Sequence, residues 1–426
     1  MKISKLLALA PLIFILTSCV GEEPNDIAYI TALGIDEAES GYIYTIQFAK
    51  PNKISGGSSD EGGSGGEIVE NISVEAPTIY SAINSANSIV SKTFSMAHAK
   101  LIVVSEKAAA NGLNGINDTL SRNDEIRPGV YIAIAENAGE YLEEVKPTIE
   151  LNPSKYYQLT FENNSESSIP QNTAQEFYFS CISKKEDCVL PLAGVAESEE
   201  DSKTTNEKGG SGESSQDESI ENKSQNEAEK NDFGSESGTR DRLAGQAGVT
   251  ITNKSEAMGI AVFKEDKYIG KLGSTEAEMY NILIGKFRDD YITFYADATP
   301  EFPTTVRLEE RTKPKYDIDI ENKTVEISIR LQCELQSASE KYREESTIEE
   351  IEKATAEMVD KRAEEFTKRL YNDMGSDPLG IRGKIKSKFL TIDEYDRYCE
   401  GFDPQEWSFS VNTEIKMKRT GMTYYN

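Results

Sequence analysis

Apolar residues recur at two spacings in the first third of the chain, and each spacing predicts a different element. Between Pro77 and Val90 they recur at helical spacing, which predicts a helix that packs one face on a core. Leu101–Val104 and Val130–Ala135 are apolar runs, typical of buried central strands. Three further stretches predict strands: Ile27–Asp36, Tyr42–Phe48 and Ile68–Val74. Strands that alternate with helices predict an α/β or α+β domain.

The second half predicts a sheet covered by one long helix. Residues 325–333 place an apolar side chain at every second position, which is the pattern of a strand buried on one face. Ser346 and Glu349 form a capping box, so we predict a helix over 347–371 whose apolar stripe packs on this sheet. Shorter strands are predicted at 258–263, 268–272, 291–295, 305–309 and 316–320, a helix at 275–284, and a closing strand at 407–417.

The composition changes in the middle of the chain. Residues 147–195 are less regular and predict a helix near Ala174–Cys181 and a strand near Val189. From Glu197 to Arg242 polar residues dominate, and such a segment cannot bury enough apolar surface to offset its ordering entropy, so we predict disorder. The predicted fold class is α+β: three mixed α/β domains in series, with mostly antiparallel sheets and packed helices, at 19–150, at 151–275 with an acidic linker at 197–245, and at 276–426.

The N-terminus predicts an export signal at residues 1–18. Lys2 and Lys5 precede an apolar stretch, Leu6–Leu16, that is too short to span a membrane as a helix. Leu16-Thr17-Ser18-Cys19 matches a lipobox, in which the cysteine becomes the new N-terminus and its thiol takes a diacylglycerol. A further acyl chain on the freed amine would make the anchor stable. The alternative is an ordinary secretory signal with a chance cysteine.

The charge narrows the range of partners. The chain has a formal net charge of −28 and a pI near 4.6. Nucleic acid is excluded as a partner because its phosphates require Lys and Arg. Adhesion to anionic lipid through a basic patch is disfavoured for the same reason, so the lipid on Cys19 must hold the protein at the membrane.

Four of the five cysteines remain once Cys19 is lipidated. Cys181 and Cys188 could close a short disulfide loop, which export would permit. The alternative is a pair of free thiols, because closeness in sequence does not fix the geometry of a disulfide. No CxxC motif or Cys/His cluster suggests zinc.

We predict no catalytic, cofactor or metal site. The single histidine, His98, precedes a core strand, and no nucleophile elbow, a Ser at a sharp turn between a strand and a helix, is predicted to pair with it. Gly56–Gly66 lacks the Lys-Ser/Thr ending of a phosphate loop. Asp60, Glu61 and Glu67 lack the fixed spacing of a calcium loop, so a solvated loop is the better interpretation.

Several stretches of the sequence occur in the same order as the motifs of a known protein family. They are the lipobox at Cys19, Ala28–Asp36, His98–Ala109, Arg122–Ala135, Gly259–Gly270, Asp377–Gly383 and Arg419–Gly421. In this order they resemble the Ger(x)C lipoproteins, the C subunits of nutrient germinant receptors in endospore-forming bacteria. The resemblance covers the chain apart from the two low-complexity inserts. It departs after Cys19, where the family often has Trp-Asp and this chain has Val20-Gly21-Glu22-Glu23.

The resemblance implies a protein without enzymatic activity, anchored on the outer face of the spore inner membrane. Its partners would be the bilayer, through the diacylglycerol on Cys19, and two integral-membrane subunits, A and B. Its role would be assembly or signal coupling during germination. Two other classes stay open. A solute-binding lipoprotein of a membrane transporter would need two lobes around a cleft, and a lipid-anchored enzyme would need a catalytic set.

Overall fold

The structure is a computed structural model that describes residues 26–50, 68–145, 150, 152–162, 169–170, 173–183, 185–196, 242–246, 254–294, 303–337 and 348–419. Several predicted features lie outside the described residues. They are the signal peptide with Cys19, the Gly-rich stretch 56–66, the linker up to residue 241, and Ser346 of the predicted capping box.

The first sheet contains nine strands of the described residues: β1 (Ile27–Glu37), β2 (Tyr42–Ala49), β3 (Val69–Ala76), β4 (Thr93–Ser95), β5 (Leu101–Ser105), β6 (Tyr131–Ala135), β7 (Val189–Val195), β8 (Ser255–Lys264) and β9 (Lys267–Leu272). Eight of them lie in the order β3-β2-β1-β5-β6-β7-β8-β9, and β4 pairs with the start of β1. The central strands β1, β5, β6 and β7 are parallel, and antiparallel strands extend the sheet at both edges.

Both faces of the first sheet are covered, which explains the apolar runs in β5 and β6. Alternate residues of β5 enter two different cores: Ile102 and Val104 face one, Leu101 and Val103 the other. A parallel strand between two helical layers is apolar on both sides. The helices are α1 (Ile79–Asn87), α2 (Glu106–Ala110), α3 (Asn114–Arg122), α4 (Ala138–Glu144), α5 (Pro153–Glu162) and α6 (Ala174–Ser183). Residues of α4 and α5 enter one core, and those of the other four helices enter the second.

The second sheet has the order β10-β11-β12-β13. Its strands are β10 (Asp289–Phe294), β11 (Thr304–Asp319), β12 (Thr324–Ser337) and β13 (Ser408–Arg419), and its helices are α7 (Ser274–Ile284), α8 (Ile348–Lys368), α9 (Ile381–Lys384) and α10 (Ile392–Glu400). β12 alternates between buried and exposed residues, as the sequence predicts. Because α8 crosses over before β13, β12 and β13 are parallel.

One apolar core joins the two sheets through α7. Met279 and Leu283 of this helix belong to the same buried cluster as Val262 of β8 and Ile327 of β12. Phe366 of α8 closes the cluster on its other side. The packing therefore places α7 between the end of the first sheet and the second sheet.

The structure confirms the predicted mixed α/β fold and differs from the predicted elements in several places. Residues 153–162 form α5, where no element is predicted. The strands predicted at 305–309 and 316–320 are one strand, β11, with register shifts between Glu310 and Lys315. Residues 242–246, at the end of the predicted disordered linker, are ordered, since Ala244 N donates to Met258 O at 3.1 Å. The division into domains at 150 and 275 remains a prediction, and the first sheet runs across residue 150.

No helix of the described residues has the length and apolar character needed to cross a bilayer.

Candidate functional site: a buried ionic junction

Three charged side chains meet between the loop that precedes β7 of the first sheet and the segment that follows α8. Asp187 lies in the loop between α6 and β7, Asp377 lies in the segment that leads into α9, and Arg382 lies in α9 itself. Arg382 Nη2 approaches Asp187 Oδ1 at 2.7 Å, as an ion contact rather than an aligned hydrogen bond, and Arg382 Nε lies 3.3 Å from Asp377 Oδ2. Both carboxylates are almost fully buried. We call this cluster, with the loops that carry it, the ionic junction.

Backbone groups of the two loops also bind each other across the junction. Asp187 N donates to Asp377 O at 3.0 Å, and Asp377 N donates to Asp187 Oδ2 at 2.7 Å. Gly383 N donates to Lys185 O at 2.9 Å. Ser376 Oγ donates to the carbonyl of Phe263, at the end of β8, at 2.6 Å. The contact is therefore continuous over both loops and does not depend on the ion pairs alone.

Asp377 organises its own segment. Its carboxylate accepts hydrogen bonds from the backbone N–H groups of Ile381, at 2.8 Å, and Arg382, at 2.9 Å, and so caps the first turn of α9. Its Oδ1 also accepts a hydrogen bond from the hydroxyl of Tyr371. A carboxylate with these donors can be buried, because its lone pairs are satisfied.

Two glycines allow the loops to approach. Gly380 has φ +68°, a left-handed conformation that side chains disfavour, and a Cβ there would lie 3.0 Å from Glu186 Oε2. A Cβ on Gly383 would lie 3.2 Å from Cβ of Lys185. The sequence Asp377-Pro378-Leu379-Gly380-Ile381-Arg382-Gly383 thus combines a cap, two close-approach positions and the bridging cation.

Burial and ion pairing shift the pKa values of Asp377 and Arg382 in opposite directions. Burial raises the pKa of Asp377 to about 6, although Tyr371 and Arg382 favour its charged form. Burial alone lowers the pKa of Arg382, but Asp187 and Asp377 more than offset this, so the pKa of Arg382 is raised. Burial also raises the pKa of Tyr371, and the neighbouring Asp377 raises it further. Arg382 therefore stays protonated in the physiological range, and Asp377, with a pKa of about 6, titrates close to neutral pH.

A second ion pair lies between the same parts of the chain. Arg369, in the π-helical turn Arg369–Asp373 that follows α8, places Nη1 2.7 Å from Glu276 Oε1. Glu276 is fully buried in the first turn of α7, and its Oε2 accepts a hydrogen bond from Gly273 N at 2.9 Å. The pair holds the end of α8 on the helix that separates the two sheets.

The Gly34-Ile35-Asp36 stretch, at the carboxyl end of β1, has a comparable local role. Asp36 accepts hydrogen bonds from Ala138 N and Gly139 N, each at 2.8 Å, at the start of α4. A Cβ on Gly34 would lie 3.2 Å from Ala138 O, so the glycine lets α4 lie close to β1. This motif positions α4 on the first sheet. In sequence it is far from the residues of the ionic junction.

The structure separates the predicted site residues. Cys19 lies outside the described residues. Cys181 and Cys188 are free thiols in the structure, and a disulfide between them stays a prediction. Burial raises the pKa of the Cys181 thiol to about 12 and that of Cys188 above its usual value, so neither is a ready nucleophile at neutral pH. His98 is exposed, with its ring edge-on to Tyr29 at 4.7 Å between centroids.

The ionic junction is the feature that sequence reasoning missed. Asp377–Gly383 was noted only for its resemblance to a family motif, and Asp187 was not singled out. A Pro and two Gly around an Asp and an Arg were the available signal, but the partner loop lies 190 residues earlier in the chain. Within the described residues, no group of three or more His, Cys, Asp and Glu side chains is placed to hold a metal ion.

A cleft of about 470 Å³ lies at the carboxyl ends of β6 and β7. Only one residue pair, Ile134 and Leu192, joins these strands, so they separate beyond it. Glutamates such as Glu136 and Glu140 line the cleft, and Glu106 at its rim is paired with Lys271 at 2.8 Å. Its described lining is polar, with Glu144, Asn137 and Lys254 beside these residues.

Comparison with known proteins gives two family-model matches, and each of them contains residues of the ionic junction. Residues 21–195 match the model described as the spore germination protein N-terminal domain, and residues 258–421 match the model of the spore germination B3/GerAC-like C-terminal region. Asp187 thus lies in the first match, and Asp377 and Arg382 lie in the second.

Individual relatives carry related names. Spore germination protein KC of Bacillus subtilis (strain 168) is 30% identical over 143 residues, which are 33% of this chain and 35% of that protein. Spore germination protein GerQC of Bacillus cereus is 20% identical over 335 residues, 76% of this chain and 75% of that protein. The chain thus spans about a third of the length of the first relative. A crystal structure of the GerBC protein is also similar. The alignment covers 91% of this chain and 96% of the GerBC chain, with a TM-score of 0.49 and 13% sequence identity.

Proposed function

Because the chain belongs to the Ger(x)C family of spore germination proteins, we propose that it is the lipid-anchored, non-enzymatic C subunit of a nutrient germinant receptor. The diacylglycerol on Cys19 holds it on the outer face of the spore inner membrane. There it contacts the membrane-embedded A and B subunits. It contributes to germination by assembly or by signal coupling, through its surfaces.

One observation carries the coupling role: the charges of the ionic junction come from both family regions. Burying a carboxylate and a guanidinium costs several kcal/mol per ion, which the pairing repays only when the geometry is good. Such a cluster is weak evidence for extra stability, and it supports a need for a fixed arrangement of the two loops. A subunit that transmits a displacement between partners needs its parts to move together.

The chemistry of the described side chains supports a role through contact rather than catalysis. The two thiols nearest the junction have raised pKa values, so they are protonated at neutral pH. The buried charges of the junction are neutralised by each other and by backbone N–H groups. The cluster is therefore suited to holding two loops together rather than to reacting with a substrate.

Deletion of the gene tests the receptor role. The proposal expects loss of germination by the cognate nutrient, with dodecylamine-triggered release intact, because dodecylamine does not require a nutrient receptor. If nutrient germination is unchanged and uptake of one solute fails instead, the protein is a solute-binding lipoprotein of a transporter and the proposal is wrong.

The anchor is tested by Cys19→Ala, with Cys181→Ala as the matched control that keeps the lipobox. Cys19→Ala is expected to leave the folded domains intact, to move the protein out of the membrane fraction, and to lower nutrient germination. Cys181→Ala is expected to change none of these. Full germination by spores that contain only the soluble Cys19→Ala protein contradicts the role of the anchor.

A further inference from the structure

One end of the first sheet is tied to the chain that leads to Cys19. β4 pairs in parallel with the start of β1, so that Thr93 lies beside Ile27 and Phe94 beside Ala28. The loop 88–92 connects α1 to β4. Phe94 N donates to Asn87 Oδ1 at 2.9 Å, which closes this loop on itself. The loop is therefore held beside the first residues of β1.

The loop presents an aliphatic side chain to solvent. Ile89 is 72% exposed, and the neighbouring Val90 is half-buried against the core. A single exposed isoleucine is ordinary on a protein surface, so its position decides whether it has a role. Its position is at the anchored end of the chain.

The distance to the anchor is short. Eight residue steps separate Cys19 from Ile27, and an extended chain covers at most about 3.6 Å per step, or roughly 29 Å in total. A lipid on Cys19 lies at the bilayer surface, so the start of β1 stays within that reach of the membrane. This step rests on the proposed lipidation of Cys19.

The loop itself adds no negative charge that an anionic surface would repel. Residues 76–105, which include the loop, contain no Asp or Glu, although the chain contains 74 of them. Carboxylates from other parts of the chain lie near this end, among them Asp26, directly before Ile27. Glu125 accepts a hydrogen bond from Met96 N at 2.7 Å, and Glu70 pairs with Lys50 at 3.4 Å. Charges elsewhere on the chain are screened beyond about 8 Å at physiological salt.

We propose that the loop 88–92 is a membrane contact, in which Ile89 enters the interfacial region of the bilayer that holds the lipid of Cys19. The lipid supplies the affinity, and Ile89 supplies a second point of attachment. Two points fix the direction of β1 relative to the membrane, whereas a lipid alone leaves the protein free to tilt. The other end of the sheet, with the turn between β1 and β2, then points away from the bilayer.

The test uses the full lipidated chain in vesicles of phosphatidylethanolamine and phosphatidylglycerol that contain a shallow nitroxide lipid. An environment-sensitive fluorophore is attached at Ile89→Cys, with Ser40→Cys at the opposite end of β1 as the control. Cys181→Ser and Cys399→Ser remove the two half-exposed thiols. We expect a blue shift and a loss of fluorescence at position 89, and neither change at position 40, since the 11 residues of β1 separate the two ends.

Flotation of the same samples separates the two claims. Protein that floats with the vesicles but is not quenched at position 89, or is quenched equally at position 40, overturns the membrane contact and leaves the anchor intact. Protein that does not float overturns the anchor and, with it, this inference.

A second variant excludes insertion driven by the fluorophore. With the label at Ser91→Cys, Ile89→Asp is expected to abolish the quenching seen with Ile89 present. Quenching that persists in Ile89→Asp overturns the role of the isoleucine. Because Ile89 is mostly exposed, this substitution leaves the core unchanged.

Discussion

Arg382 and Arg330 each face a carboxylate at short distance, but in different surroundings. Arg382 lies 2.7 Å from Asp187, and the two side chains are 17% and 4% exposed. Arg330 lies 3.2 Å from Glu414 on the outer face of the second sheet, and those side chains are 53% and 49% exposed. When the exposed pair is broken, water solvates both charged groups, so its loss changes the stability of the fold little. The buried pair has no water to replace a missing partner.

The difference shows where electrostatics determines this structure. On the outer face of the second sheet, ion pairs lie along strands that hydrogen bonds and side-chain packing already hold. At the ionic junction, the charges and backbone groups of two distant loops bind each other directly. The same chemistry therefore contributes solubility in one region and a fixed arrangement in the other.

Removing the bridging cation is expected to have the largest effect. Arg382→Ala leaves Asp187 and Asp377 buried without their cation, which costs on the order of 3–5 kcal/mol in the free energy of unfolding. The matched control, Arg330→Ala, removes an exposed pair and is expected to cost less than about 1 kcal/mol. Urea unfolding at neutral pH measures both. Equal effects of the two substitutions contradict the distinction between the regions.

The pH dependence sharpens the same comparison. Because burial raises the pKa of Asp377 to about 6 in the folded protein, above the usual value near 3.9 for Asp, its contribution to stability is fully present below pH 4 and is lost as the pH rises through 6. The stability of the wild type relative to Asp377→Asn, which does not titrate, is expected to fall by on the order of 2–3 kcal/mol between pH 4 and pH 7.

Urea unfolding of wild type and Asp377→Asn at several pH values between 4 and 7 provides the measurement. Asn does not titrate and keeps one of the two acceptor oxygens, so the pH dependence of the difference reports the charge of Asp377. A difference that stays constant with pH, or that grows in the opposite direction, contradicts the assignment of Asp377 as the titrating group.

A smaller effect is expected at the other motif of the first sheet. Asp36→Ala removes the acceptor of two backbone N–H groups at the start of α4, and loss of such a cap costs about 1 kcal/mol. Asp36→Asn keeps one side-chain acceptor and is expected to cost less. Thermal unfolding of the three proteins tests this order. A loss of stability as large as that caused by Arg382→Ala would mean that the Gly34-Ile35-Asp36 motif does more than position α4.

Local patterns explain why much of the fold could be predicted. The alternation in β12 and the apolar runs of β5 and β6 reflect burial on one face and on two faces, which sequence spacing reports directly. α5 was missed because it is short and the stretch around it has no regular apolar pattern, although Asn152 directly before Pro153 is an N-cap signal and its Oδ1 accepts from Ser154 N at 3.0 Å. β4 was missed because three residues are too few to show a period.

The junction could not be predicted because it depends on contacts between distant residues. Asp187 follows acidic Glu186 in an exposed-looking loop, and nothing around it indicates that Arg382 will reach it. The parallel pairing of β12 with β13 has the same character, since the crossover through α8 is set by packing rather than by a local pattern. Residues whose role comes from a partner far along the chain show that role only in the folded protein.

The central claim is that the ionic junction holds the two sheets in one arrangement, and a distance distribution tests it most directly. Spin labels at Glu75→Cys on β3 and Asn412→Cys on β13, with Cys181→Ser and Cys399→Ser, report the separation of the sheets by pulsed electron resonance. We expect one narrow distribution in the wild type and in Arg330→Ala, and a broader one in Arg382→Ala. A distribution that is equally narrow in Arg382→Ala would contradict the claim.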